Sequence, residues 1–91
     1  MTAFRTFSPR RRTPGSLVVK LYPTGGTVRG YVRKTAVRAD DDTVFPGEEM
    51  GPEAAFVLAR SHAEGMPIEV ELVEGVSWDP VWGTLEDGSA P

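Results

Sequence analysis

The stretch from Gly51 to Leu72 constrains the fold of this chain more than any other. Pro52 suits the first turn of a helix, where its missing N–H would have no partner in any case. Glu53 follows where the positive end of the helix dipole favours an anion. Gly65 supplies the left-handed residue that ends a helix, and Pro67 prevents its resumption. Ile68, Val70 and Leu72 then alternate with Glu69 and Glu71, the period of two that marks a half-buried strand. A capped helix running straight into an alternating strand predicts a small α+β domain.

The segments ahead of this unit supply a hairpin. Leu17, Val19 and Leu21 alternate with Val18, Lys20 and Tyr22, and Val28, Gly30 and Val32 alternate with Arg29, Tyr31 and Arg33. Pro23-Thr24-Gly25-Gly26 joins the two runs as a glycine-rich hairpin turn. The glycines serve positive φ rather than a phosphate cradle, which would need a longer glycine pattern, a lysine and a following helix. Gly30 within a strand marks a bulge or a close approach by the helix. Thr43-Val44-Phe45 reads as a short further strand. Gly75 to Pro80 turns the chain, and residues 81–85 read as a last strand carrying Trp82, with Trp78 just before it. On the helix, at about 100° per residue, Ala55, Leu58, Ala59 and His62 share the inner face. Glu53, Val57, Arg60 and Glu64 lie opposite.

The expected architecture is a two-layer α+β sandwich. An antiparallel sheet of about four strands, with a fifth near Val44, carries one helix on one face in the order ββαββ. A crossover over the helix places the strand at 68 beside the first hairpin strand, so the hairpin pair is followed by 68–74 and then 81–85. Leu17, Val19, Leu21, Val28, Val32, Ala55, Leu58, Ala59, Ile68, Val70 and Leu72 form the expected core. Ninety-one residues make one domain, able to bury only about 60% of its unfolded surface. It spans 16–86, preceded by a flexible basic arm at 1–15 and followed by a frayed tail at 87–91.

Charge is divided along the chain. Residues 1–38 hold nine bases and no acid, while residues 39–91 hold thirteen acids against Arg60 alone. Either the acidic strands neutralise the basic ones across the sheet, or a basic surface stands apart to meet a polyanion or charged protein. Arg10, Arg11 and Arg12 in the arm, with Lys20, Tyr22, Arg29, Tyr31 and Arg33 on the outward face of the hairpin, interleave cations and rings as a single-stranded nucleic-acid platform does. The same residues are ordinary choices for exposed strands. The position of Glu69 and Glu71 relative to this face decides between the readings. Trp78 and Trp82 either close one end of the core or anchor a protein interface.

Catalytic constellations are sparse. There is no cysteine and one histidine, and the nucleophile-elbow, zincin and dinucleotide motifs are missing. Glu69 and Glu71 share a strand face about 7 Å apart by strand rise, but an open sheet face would leave both solvated. Asp40-Asp41-Asp42 lacks the alternation and central glycine of a calcium loop. His62 on the inner helix face reads as a packed residue near the helix C-terminus. No catalytic, cofactor or metal site is expected. The arginines of the arm precede no apolar run, so a secretory signal is not expected, nor a membrane span; the cytoplasm is the expected compartment. The reading is a non-catalytic interaction module, a monomer or weak homodimer, that binds a protein partner through its sheet face and its Trp-bearing end. The alternative is a nucleic-acid-binding protein using the arginine-rich arm and the hairpin face.

Overall fold

A computed structural model describes residues 3–7, 15–36, 43–63 and 65–86. In chain order they hold β1 (Ala3–Thr6), β2 (Leu17–Thr24), β3 (Thr27–Lys34), β4 (Thr43–Met50), α1 (Pro52–His62), β5 (Ile68–Leu72), a 3-10 turn at Pro80–Trp82, and β6 (Thr84–Glu86). The fold is α+β with one helix on a sheet, as expected, but the sheet is larger than four strands and mixed rather than antiparallel. Its order is β4-β3-β2-β5-β1-β6. β2, β3 and β4 form an antiparallel meander, whereas β5 joins β2, β1 joins β5, and β6 joins β1 in parallel. The helical crossover from β4 sets the direction of β5: a chain that leaves one end of a sheet and returns over a helix re-enters parallel.

The hairpin forms where the alternation places it, from Leu17↔Lys34 to Thr24↔Thr27. Gly25 and Gly26 take the positive φ that the turn requires, 53° and 87°. The strand at 68 lies beside the first hairpin strand, with Leu17 opposite Ile68 and Leu21 opposite Leu72. Two elements differ from the sequence reading. Residues 3–6, read as part of an arm, are a strand wedged between β5 and β6. Residues 81 and 82, read as the start of the last strand, instead belong with Pro80 to a 3-10 turn whose first N–H groups are met by Asp79, its side chain accepting from the Val81 N–H at 3.0 Å. The last strand is therefore only Thr84–Glu86.

Opposite Gly30 to Val32 of β3, β4 advances from Phe45 to Met50, so residues 46–49 bulge out of the ladder. Pro46 stands in this bulge, where a missing N–H breaks no ladder bond. The close approach at Gly30 comes from β2 and not from the helix. A Cβ there would lie 2.5 Å from the Lys20 carbonyl oxygen and 2.6 Å from Leu21 Cδ2. Gly30→Ala is expected to cost about 2–3 kcal/mol, at the upper end of overpacking effects, because backbone must move; a urea midpoint unchanged from the parent would contradict this contact.

One helix about 10 Å across cannot cover six strands spanning about 24 Å. α1 lies over β2 and β3. Phe4, Leu17, Val19, Leu21, Val32, Ala55, Phe56, Ala59, Ile68 and Val70 form the buried core, with Val28, Leu58 and Leu72 at its rim rather than within it. The half of the sheet beyond the helix is roofed by aromatic rings. Phe4 from β1 meets Phe56 at 4.8 Å and Trp78 at 5.8 Å, and Trp78 meets Trp82 edge-on at 5.2 Å. The Trp78 indole N–H donates to the Gly83 carbonyl at 3.2 Å, so the ring is buried on its apolar side without an orphaned donor.

Candidate functional site

Two surfaces carry the candidate residues. The first is the sheet face opposite α1, where Lys20 and Tyr22 of β2 stand beside Tyr31 and Arg29 of β3. Glu49, delivered by the β4 bulge, accepts a hydrogen bond from the Tyr22 hydroxyl. It also lies 4.0 Å from the Arg29 guanidinium, which donates to the Glu49 carbonyl at 3.3 Å. Arg33 reaches across β2 to Glu71 of β5 at 3.2 Å and stacks 5.0 Å above the Phe7 ring. Lys20 is the register neighbour of Glu71 on the adjoining strand. Tyr31 packs near Tyr22, ring centres 6.3 Å apart. The acids thus interleave with the bases on this face. Arg10, Arg11 and Arg12 fall outside the described residues.

Glu49 also changes the chemistry of Tyr22. Its hydrogen bond and negative charge hold the phenol above the usual tyrosine range, with a small opposing contribution from Arg29. A raised value in the folded state means that any stabilisation from this contact is complete below the unfolded tyrosine pKa and is lost as pH rises through the folded one. Glu49→Gln is expected to bring the Tyr22 titration down towards the ordinary value, read by tyrosinate absorbance in a Tyr31→Phe background.

At the other end of this face Glu69 departs from expectation. It is only 3% exposed, not solvated. Arg5 of β1 donates to one carboxylate oxygen through Nε at 3.2 Å and Nη2 at 2.9 Å. Ser16 donates to the other oxygen at 3.3 Å and shares a hydrogen bond with Thr35 at 3.0 Å. Val18, between Arg33 and Glu69 in register, is fully buried. Glu69 and Glu71 are therefore each committed to a guanidinium, with no shared cleft between them.

The second surface is the outward side of α1 and the adjoining Trp-bearing end. Ala54, Val57, Leu58 and Ser61 recur at i, i+3, i+4 and i+7, one stripe along the helix. With Met50 and Glu53 they line a shallow groove of about 510 Å³. A neighbouring depression of about 320 Å³ lies between Glu53, Val57 and Arg60 of the helix and Val81 and Trp82 of the 3-10 turn. Val57 is 55% exposed and Val81 74%, and Trp82 is half-buried with its ring 5.6 Å from Phe56. Trp78 is half-buried as well and packs against Phe4 and Phe56 in the roof. Sequence reasoning missed Met50, Ala54, Leu58 and Val81 as surface residues. For Ala54 and Leu58 a signal was present in the i, i+3, i+4, i+7 series with Val57 and Ser61, of which Leu58 was assigned to the inner face; Met50 and Val81 lie outside the helix and carried none. His62, expected on the inner face, is exposed.

Among the described residues no three acidic or histidine side chains come together as metal ligands would, and no helix is long and apolar enough to cross a membrane. Comparisons with protein-family models, with curated proteins and with solved structures find no match for this chain.

Proposed function

We propose that this protein is a non-catalytic interaction module that docks an amphipathic helix of a protein partner along the outward side of α1, against Val81 and Trp82. The observation that carries this reading is that the apolar groove at Met50, Ala54, Val57 and Leu58 adjoins, at Glu53 and Val57, the depression that holds Val81 and Trp82, with Val57 and Val81 exposed. A stripe of small and branched residues at helical spacing suits a second helix, whose own anchors would fall at the same intervals. Ala54 and Ser61 permit close approach, and Trp82 supplies the aromatic anchor typical of binding hot spots. The sheet face is a weaker candidate than the sequence suggested, because Glu49 and Glu71 occupy its cations.

Selection from a displayed library of helical peptides tests this. Selected peptides should shift the amide resonances of residues 53–61 and 78–83, and Val57→Glu with Val81→Glu should abolish their binding while leaving the fold intact. Shifts confined to β2 and β3, or undiminished binding by the double variant, would overturn the reading. The nucleic-acid alternative rests on the arm and on Lys20 and Tyr31. It requires shifts on the hairpin with an added oligonucleotide and an affinity that falls steeply with salt; their absence at low salt would end it.

A further inference from the structure

We infer that the slot between β5 and β6 can take the N-terminal strand of a second copy of this chain, giving a reciprocal strand-exchanged dimer. The inference rests on the position of β1 and is independent of the α1 surface. Among the described residues β6 has no hydrogen-bonded neighbour except β1. β1 therefore completes the sheet from inside rather than extending an edge. It makes no ladder with β2, the strand that follows it in the chain; β5 lies between them.

What seats β1 is a set of contacts to residues far along the sequence, from Phe56 to Glu86. Phe4 enters the ring cluster of Phe56 and Trp78 on the helix side. Arg5, pointing to the opposite face, meets the buried carboxylate of Glu69. The Thr6 hydroxyl donates to the Glu86 carbonyl at 3.3 Å, and the Phe7 N–H donates to the Val70 carbonyl at 2.9 Å. The slot thus asks for a parallel strand with a large ring and then a guanidinium at successive positions. The chain carries that specification in its own residues 3–6, and a second copy presents it identically.

Without its strand, the slot leaves the β5 edge, the Glu69 carboxylate and the Phe56–Trp78 rings uncovered together. Those exposures favour refilling by any copy within reach. Because exchange keeps every contact that seats the strand, the balance between the monomer and the exchanged dimer turns on the entropy of association. Refolding at high concentration shifts that balance towards the dimer. Two reciprocal exchanges close on a two-fold axis and leave no open slot, so the assembly stops at two.

The chain has no cysteine, which makes a direct test available. Ala3 and Thr84 are register partners across β1 and β6. Ala3→Cys and Thr84→Cys are made in separate, differently tagged chains, unfolded in urea, mixed at high concentration, refolded and oxidised. The expected result is a disulfide-linked heterodimer, several-fold above the yield when the second cysteine is placed instead at Thr24 in the exposed hairpin turn. Both substitutions in one chain should give covalent dimer beside internally linked monomer. Sedimentation of the unaltered chain, refolded the same way, should reveal a dimer that persists on dilution. A double variant linked wholly as monomer, a heterodimer yield equal to the Thr24 control, or an unaltered chain that stays monomeric at every concentration would each overturn the inference.

Discussion

Phe4→Ala is expected to lower stability by about 3–5 kcal/mol, the range for deleting a fully buried ring. A chain of this length has roughly 5–14 kcal/mol in total, so the loss is large. Phe4 is 1% exposed and touches Phe56 and Trp78 in the roof over the half of the sheet that α1 does not reach. Its loss opens a cavity beside the Phe56 ring and the Trp78 indole and loosens β1, and with β1 goes the pairing of β6. The effect should appear as a lower urea midpoint with an altered Trp fluorescence baseline. If residues 3–6 made no tertiary contact, the same substitution would fall within about 0.5 kcal/mol of the parent, as solvated surface changes do. The two outcomes differ by several kcal/mol, beyond any extrapolation error.

The second large effect concerns Arg5. Arg5→Met keeps the apolar stem but leaves Glu69 with Ser16 as its remaining donor among the described contacts. Breaking a buried ion pair from one side costs about 3–5 kcal/mol. Arg5 is 41% exposed, so water reaches the vacated position, and about 2–3 kcal/mol is the expected loss after that discount. Removing both charges as Arg5→Met with Glu69→Met should recover most of it, because the penalty lies in the orphaned carboxylate rather than in the absent pair. A double-mutant cycle by chemical denaturation gives the coupling directly. Equal and additive losses for the two single variants would show that the two side chains act independently.

These two residues also mark where the sequence was hard to read. The hairpin, the helix and the strand after it were legible because each carries its own periodicity over five or more residues, with Gly25-Gly26, Pro52 and Gly65 as punctuation. β1 offers four residues, one of them arginine, next to a tract of proline and arginine. Its reason for being a strand lies in Val70 and Leu85, 64 and 81 residues away. No local pattern reports such a partner. Lacking that strand, the sequence reading kept Glu69 on an open, solvated face, when it is buried with Arg5 and Ser16 on its two oxygens. At the Trp-bearing end the aromatic concentration was legible, but the packing of both rings against Phe56, with Trp82 also lining a surface depression, was not. Trp82 sits in a 3-10 turn because Asp79 meets the Val81 N–H and Pro80 fixes the first residue, a local device hidden inside an apparent strand pattern. The outer helix stripe was only partly read, because Leu58, assigned to the inner face, is half-buried and borders both faces.

The ion pairs joining the two oppositely charged halves of the sequence act on the unfolded chain as well. Arg5 with Glu69 and Arg33 with Glu71 draw one partner from the basic first 38 residues and one from the acidic remainder. In an expanded chain those blocks attract each other over distances that salt shortens to about 8 Å at physiological ionic strength. The attraction biases the denatured ensemble towards compact conformations that bring β5 near β1 and β2, pairings with long loops to close. Charge segregation along the sequence thus acts as a coarse register signal before any side chain packs, which low ionic strength strengthens and high salt erases.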